Sequence, residues 1–348
     1  MSDKVTMIGY YGMKDSAGRC VGHTVKVTNE YAKLIAGFTE VELYAAPCIV
    51  SSGVDDKLFS QVHILKNDIE MVGNSLLKRI VDKFKIIKNI RQALDNKGIL
   101  FVYQIDYIFL LYMLLFYRKK KDRRVVALSY HKIFGDKLMN ACIKKLDGII
   151  YTQEDMSIEH KNSMWMPDYI YDEDIYGKYN CLPKENKCVC LGTMNRYKQL
   201  EKLVNNWKEM DIPLIVAGRF DDKERYYRLK ENAPQNVEIR DEVLEYGEYL
   251  EMLGRARFSI LPYDMSQYTN RTSGVLLESI YCGSIPVAPG QLLAQLKLPG
   301  IKLENIRDTI FQNDSSGIQE VLEECDAVIK NKYNAEMIQE NFKTILIE

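Results

Sequence analysis

The sequence predicts an α/β protein built from two Rossmann-like, doubly wound domains that face each other across a cleft. Three observations carry this expectation. Short apolar runs alternate with longer amphipathic segments, as in parallel sheets covered by helices on both faces. The alternation runs through once and starts afresh near residue 188. At 348 residues, the chain is long enough for two separate cores.

Taken in order, residues 5–9 (Val-Thr-Met-Ile-Gly) read as the first buried strand, followed by a loop carrying Gly12 and Gly18. Residues 24–35 read as a helix and 41–45 as the next strand. The runs 99–103 and 125–129 are further strands, and 148–151 is expected to be the last of this half. The second set comprises 189–192, 213–218, 237–239, 258–262 and 285–288. The expected division is a first domain over 1–168, a linker over 169–187 whose part 176–187 reads as polar loop, and a second domain over 188–329. Residues 330–348 read as a helix.

Composition narrows the function. Hydrophobic content of 47% and charged content of 27% are ordinary for a soluble globular protein. A net charge of −1 gives no general affinity for nucleic acid, so no nucleic-acid partner is expected. The eight cysteines are scattered without a CxxC pair, and four histidines are present, so neither a metal nor any other cofactor is expected. Cys188 and Cys190 alternate along one strand and share a face. Reduced thiols and a start that leads straight into a strand suit a cytoplasmic protein without a secretory signal.

The most informative stretch is 271–289, Arg-Thr-Ser-Gly-Val-Leu-Leu-Glu-Ser-Ile-Tyr-Cys-Gly-Ser-Ile-Pro-Val-Ala-Pro. It reads as a Ser-Gly turn, a short helix and a buried strand. A turn of this kind leaves backbone N–H groups of Ser273, Gly274, Val275 and Leu276 at the positive end of a helix dipole, where phosphate is favoured. Glu278, about one turn in, suits a sugar diol. Together they suit a nucleoside diphosphate that carries a sugar.

This segment resembles the donor-site helix of GT-B glycosyltransferases, most nearly the retaining family-4 type. Glu278 matches the second acidic residue of that pattern, which holds the ribose, and Gly283, Pro286 and Val287 match its turn and strand. Asn270 stands eight positions before Glu278, where the family carries its first Glu, and Arg271 and Thr272 follow it. After the strand ending at Gly192, Thr193, Arg196 and Lys198 occupy the place of a loop whose cations neutralise the donor diphosphate. Such cations act most strongly as the leaving group gains charge. The plain alternative for Arg196 and Lys198 is a pair of solvated charges at a helix start. Asp264, after Pro262-Tyr263, is either a sugar contact replacing the missing Glu or a turn residue bonded to its own backbone. By family layout, backbone around 240–243 grips the base and the helix over 330–348 returns to the first domain.

The resemblance gives the first domain the acceptor. His131 follows a strand and is either a cleft residue that orients a hydroxyl or a helix-start histidine without a catalytic part. Gly12 and Gly18 permit close backbone approach in the first loop, and Asp15 there is either a base or a cap. The implied activity is sugar transfer from a nucleotide-sugar to a glycan or lipid-linked acceptor. Capsule or exopolysaccharide synthesis is the expected setting, with retention of configuration and no metal. A non-catalytic GT-B subunit and a nucleotide-sugar epimerase are the alternatives. Finally, 76–91 carries Leu76, Leu77, Ile80, Phe84, Ile87 and Ile90 at helical spacing, with cations between, and 108–117 is an apolar run followed by the basic loop 118–124. The run is too short to span a bilayer. These segments either pack on the sheet or dock on anionic lipid at the inner face of the cell membrane.

Overall fold

Strands buried on both faces need continuous apolar runs, and every strand of the two main sheets pairs parallel to its neighbours. The computed structural model describes residues 4–15, 18–20, 24–70, 75–153, 156, 158–268, 273–307 and 315–348. The chain divides into two units, one ending at Pro167 and taking back Glu336–Glu348, the other Asp168–Ala335.

In the first unit the elements are β1 (Val5–Gly9), β2 (Met13–Lys14), α1 (Thr24–Ala36), β3 (Val41–Ala45), α2 (Pro47–Ser51), β4 (Gln61–Ile64), β5 (Ile69–Glu70), α3 (Leu76–Leu94), β6 (Gly98–Val102), α4 (Tyr107–Leu115), β7 (Arg123–Ser129), α5 (Asp136–Ile143), β8 (Gly148–Tyr151) and β9 (Ser163–Trp165). Seven strands form one sheet in the order β4-β3-β1-β6-β7-β8-β9, while β2 and β5 pair apart from it. The order reverses between β1 and β6, so their C-terminal ends border the crevice where open α/β sheets take ligands. Gly148–Tyr151 is not the last strand, because β9 follows it at the edge.

The two arginines that open β7 project to opposite faces and hold two helix ends. Arg123 donates to the carbonyls of Leu94 and Asp95 at the close of α3. Arg124 donates to Ile345 and Ile347 at 3.0 and 3.2 Å. A cation at a helix C-terminus meets both the unsatisfied carbonyls and the negative dipole end. The chain's final helix is thereby fixed in the first unit, where fully buried Phe342 meets Phe101 edge-on at 5.3 Å.

The second unit contains α6 (Glu173–Asn180), β10 (Glu185–Leu191), α7 (Leu200–Asn206), β11 (Leu214–Gly218), α8 (Lys223–Glu231), β12 (Val237–Asp241), α9 (Tyr246–Arg255), β13 (Ala256–Ile260), α10 (Gly274–Tyr281), β14 (Ile285–Ala288), α11 (Gly290–Leu296), β15 (Ile301–Lys302) and α12 (Ser315–Val328); α13 (Ala335–Ile347) closes the chain. Its sheet order is β12-β11-β10-β13-β14-β15, with the reversal between β10 and β13. Residues 176–187, expected as polar loop, instead finish α6 and open β10. The cause is local: Asp172 caps α6 by accepting from the Asp174 amide at 3.0 Å, and Tyr176 buries its ring against Tyr171 and Tyr281. Apolar residues of β10, α7, β11, β13 and β14 form the core, where each large side chain contributes roughly 1.5–3 kcal/mol.

Candidate functional site

The candidate donor site is built at the reversal point of the second sheet. Gly192 leaves β10 in a left-handed turn with φ 94°. Gly218, with φ 150°, closes β11 beside it. A Cβ at Gly218 would stand 1.9 Å from the Gly192 carbonyl oxygen, so the two strand ends touch backbone to backbone. A Cβ built at Gly192 would lie 3.4 Å from Val275 Cγ2 and 3.8 Å from Lys198 Nζ. The first turn of α10 and the Lys198 ammonium therefore converge on one glycine turn.

Lys198 is not a solvated charge. It is 4% exposed, donates to the Leu191 carbonyl at 2.6 Å and lies 3.9 Å from Met194 Sδ. Among the described residues, no carboxylate pairs with it. Burial pulls its pKa below the usual lysine value, with Cys190 acting weakly the other way. A buried ammonium with unused donors favours an incoming anion.

Helix α10 begins at the cap Ser273, whose Oγ accepts from the Leu276 amide at 3.3 Å and meets Tyr263 OH at 3.1 Å. The Gly274 and Val275 amides have no acceptor among the described residues. A Cβ at Gly274 would lie 2.5 Å from the far end of the Tyr169 ring, so a larger residue there would displace that side chain. The Leu276 side chain is fully buried in the core and its amide is taken up by Ser273, so Leu276 does not supply the open donor expected of it. Glu278 is 6% exposed and accepts from Tyr246 OH at 3.0 Å and Tyr249 OH at 2.8 Å.

Other expected residues fall differently. Asp264 directs its carboxylate to Ser266 and Gln267 at 2.7–3.1 Å in a turn, and the Ser266 hydroxyl leads in holding it below the usual carboxylate range. Arg196 is exposed and lies over the Tyr197 ring at 5.2 Å. Thr193 is exposed. Arg240 forks onto Glu238 at 2.7 and 3.0 Å. Asn270, Arg271 and Thr272 lie outside the described residues. A cavity of about 660 Å³ lies beside α7, lined by Gln199, Trp207, Pro262, Tyr263 and Arg307 among others.

In the first unit Gly12 lies close to Ala46, Cys48 and Asp68, where an added Cβ would come within 2.6 Å of Cys48 Sγ. Asp15 accepts from the Arg19 amide at 2.9 Å and pairs with its guanidinium at 3.1 Å, while Gly18 turns with φ 80°. His131 is exposed in the turn after β7, its carbonyl accepting from Ser129 Oγ at 2.9 Å. The crevice between β1 and β6 also holds a group the sequence did not flag. Asp106 caps α4 through the Phe109 amide and accepts from Tyr10 OH, both at 2.9 Å, and burial raises its pKa. Its one sequence signal is Asp before an apolar helix, which marks a cap equally well. Gly218, Tyr169, Tyr246 and Tyr249 were also unforeseen. Among the described residues, no three His, Cys, Asp or Glu gather as metal ligands.

These two parallel sheets define the GT-B fold, and solved glycosyltransferases share it over the whole chain. The N-terminal domain of Candida albicans trehalose-6-phosphate phosphatase matches with TM-score 0.68 at 11% identity, covering 99% of this chain and 97% of that one. The trehalose 6-phosphate synthase of Burkholderia multivorans matches with TM-score 0.65 at 10% identity, covering 99% and 98%. An α-glucosyltransferase in complex with UDP and a 13-mer DNA matches with TM-score 0.61 at 13% identity, covering all of both chains. No protein-family model and no curated protein sequence matches the chain. At these identities the likeness establishes the fold, and the chemistry has to be argued from the site.

Proposed function

We propose that the protein is a glycosyltransferase that binds a nucleoside diphosphate-sugar in its second unit. The observation that carries this is the convergence of Gly192, the open amides of α10 and the buried Lys198 ammonium on one turn, with Glu278 one turn along the same helix. The diphosphate takes the amides and the ammonium, and the ribose takes Glu278. As the glycosidic bond breaks, charge builds on the leaving diphosphate, and donors fixed in a water-poor site stabilise it. The family resemblance favours retention, in which the leaving phosphate accepts the acceptor's proton and no dedicated base is required. A glycan or lipid-linked acceptor bound in the first unit, in surface polysaccharide synthesis, completes the reading.

The test begins with thermal shifts for UDP, GDP, ADP and CDP, since a ligand at 100 times its Kd stabilises by about 2.7 kcal/mol. Sugar release from the matching donor then separates an enzyme from a binding subunit, and an acceptor requirement separates transferase from epimerase. Proton NMR of the product's anomeric centre decides retention. No shift with any of the four diphosphates would overturn the reading. DNA is included as one acceptor arm because a neighbour of the same fold is bound to it.

The lipid-linked acceptor is favoured by α3. Its second half packs through Ile86, Ile90, Ala93 and Leu94, but its first half leaves Leu76, Leu77 and Phe84 exposed at 73%, 77% and 59%. Ile80 and Val81 are exposed as well, and Lys78, Arg79, Lys83 and Lys88 stand among them. Exposed apolar side chains rimmed by cations match an anionic lipid interface. No helix among the described residues is long and apolar enough to cross a membrane, so attachment would be to the surface. Co-sedimentation with anionic liposomes at low salt checks this, with Leu77→Glu/Phe84→Glu expected to abolish pelleting; failure of the unmodified protein to pellet would retire it.

A further inference from the structure

Glu278 sits in an unusual cage. Both phenols that reach it come from the first turn of α9, where Tyr246 and Tyr249 are three residues apart and lie on one helix face, their rings parallel within 17° at 6.2 Å. Tyr246 OH is held in turn by Tyr176 OH at 3.0 Å. Tyr176 is buried in an aromatic group with Tyr171 and Tyr281, at 5.9 and 5.1 Å. Tyr281 lies on α10, as Glu278 does, and its hydroxyl donates to the Tyr169 carbonyl at 2.8 Å. The carboxylate is therefore tied to α9 by two donors and, through Tyr246 and Tyr176, to the packing that anchors its own helix.

The chemistry of the two donors suits a fixed carboxylate. Burial, with the Glu278 charge beside it, pushes the Tyr249 hydroxyl well above the ordinary tyrosine range, so Tyr249 remains a donor at any working pH. One phenol meets Oε1 and the other Oε2, which sets the plane of the carboxylate as well as its position. A side chain with several rotamers is thus ordered before a diol arrives, and preorganisation of this kind raises affinity without adding a contact.

We propose that Tyr246 and Tyr249 are positioning residues that lock Glu278 in the orientation that reads the donor ribose, and so set discrimination between ribose and 2′-deoxyribose. This rests on the donor reading above. A site built to bond a hydroxyl rejects the analogue lacking it, because its own polar group loses that partner.

The experiment measures binding by calorimetry for whichever of UDP, GDP, ADP and CDP gives the largest thermal shift, and for its 2′-deoxy counterpart. The unmodified protein is expected to prefer the ribonucleotide by about 10-fold, the worth of one good hydrogen bond to a charged group. Glu278→Gln should bring the ratio close to one. Tyr246→Phe/Tyr249→Phe should weaken the ribonucleotide by about 5- to 10-fold and the deoxynucleotide, which keeps its 3′-hydroxyl, by less, so that the ratio falls, a pattern that loss of packing would not produce because both rings remain. Tyr246→Phe alone, at the exposed rim, should show part of the same change with an unaltered melting temperature. If none of the four diphosphates binds, the donor reading and this inference fall together. If Glu278→Gln collapses the ratio and the tyrosine variants preserve it, the donor reading stands and the positioning inference is overturned.

Discussion

Replacing Lys198 by methionine is expected to separate the candidate site's function from its stability. The side chain is 4% exposed, and its ammonium keeps one strong acceptor, the Leu191 carbonyl at 2.6 Å. Losing a charge-assisted hydrogen bond costs about 1.5–3 kcal/mol. Against that, removing a buried charge relieves a desolvation penalty of several kcal/mol, so the ligand-free variant should be as stable as its parent or more so. The pH dependence has a definite sign. Because burial lowers the folded-state pKa, the unfolded chain binds more protons between that lowered value and the ordinary 10.5. Stability of the parent therefore rises as pH climbs through that window, and the variant should lose this component. Nucleotide binding should move the opposite way. A charge-assisted contact to phosphate of about 1.5–3 kcal/mol corresponds to roughly 10- to 150-fold weaker binding, and turnover should fall further because charge on the diphosphate grows in the transition state. Denaturant melts from pH 7 to 10, calorimetry with the diphosphate and initial rates of transfer measure the three effects. An unchanged rate with unchanged affinity would remove Lys198 from the mechanism, and marked loss of stability would refute the account of its burial.

Other outcomes follow from single contacts. Gly218→Ala should cost at least about 2 kcal/mol in denaturant melts, because the new methyl meets the Gly192 carbonyl at 1.9 Å in a backbone conformation suited to glycine, and nucleotide affinity should fall with it. Phe342→Ala should destabilise by about 3–5 kcal/mol, as expected for a fully buried aromatic that seats the last helix against Phe101; a loss under about 1 kcal/mol would contradict that seating. Cys20, half-buried, has its pKa lowered by a hydrogen bond from Cys48 and a lesser one from Thr24. Iodoacetamide should modify it with a pH midpoint below the ordinary 9.0, and Cys48→Ala should move that midpoint up.

The central strands were legible because burial on both faces writes itself as an unbroken apolar run. β1, β3, β8 and β14 fall on the expected residues, and the others differ by a few positions at their ends. Of the four edge strands in the two main sheets, β12 was readable at 237–239, where Val237 and Ile239 are buried, and the other three carry no such mark. β4 (Gln-Val-His-Ile), β9 (Ser-Met-Trp) and β15 (Ile-Lys) pair on one side alone and include half-buried or exposed residues, so their sequences look like loop. α3 was legible as a helix, but which part of its apolar face is covered was not. Its apolar spacing runs the full length, yet packing takes only the second half, and periodicity cannot tell a covered face from an open one. At the candidate site, Gly192, Ser273, Gly274 and Glu278 were readable because a glycine turn and a helix start leave local signatures. The tyrosines around Glu278 were not. They arrive from a helix about thirty positions earlier in the chain, and only the assembled fold brings their hydroxyls to one carboxylate.

The approach of Tyr169 to Gly274 has a consequence for how this protein tolerates change. With the phenol ring 2.5 Å from the place of the missing methyl, position 274 accepts no larger residue while the ring stays. Shrinking the ring would open a gap at the mouth of α10 that water would enter. A larger residue at 274 is therefore expected to be accepted only where position 169 changes or its side chain shifts with it, which a screen that randomises both positions together would show.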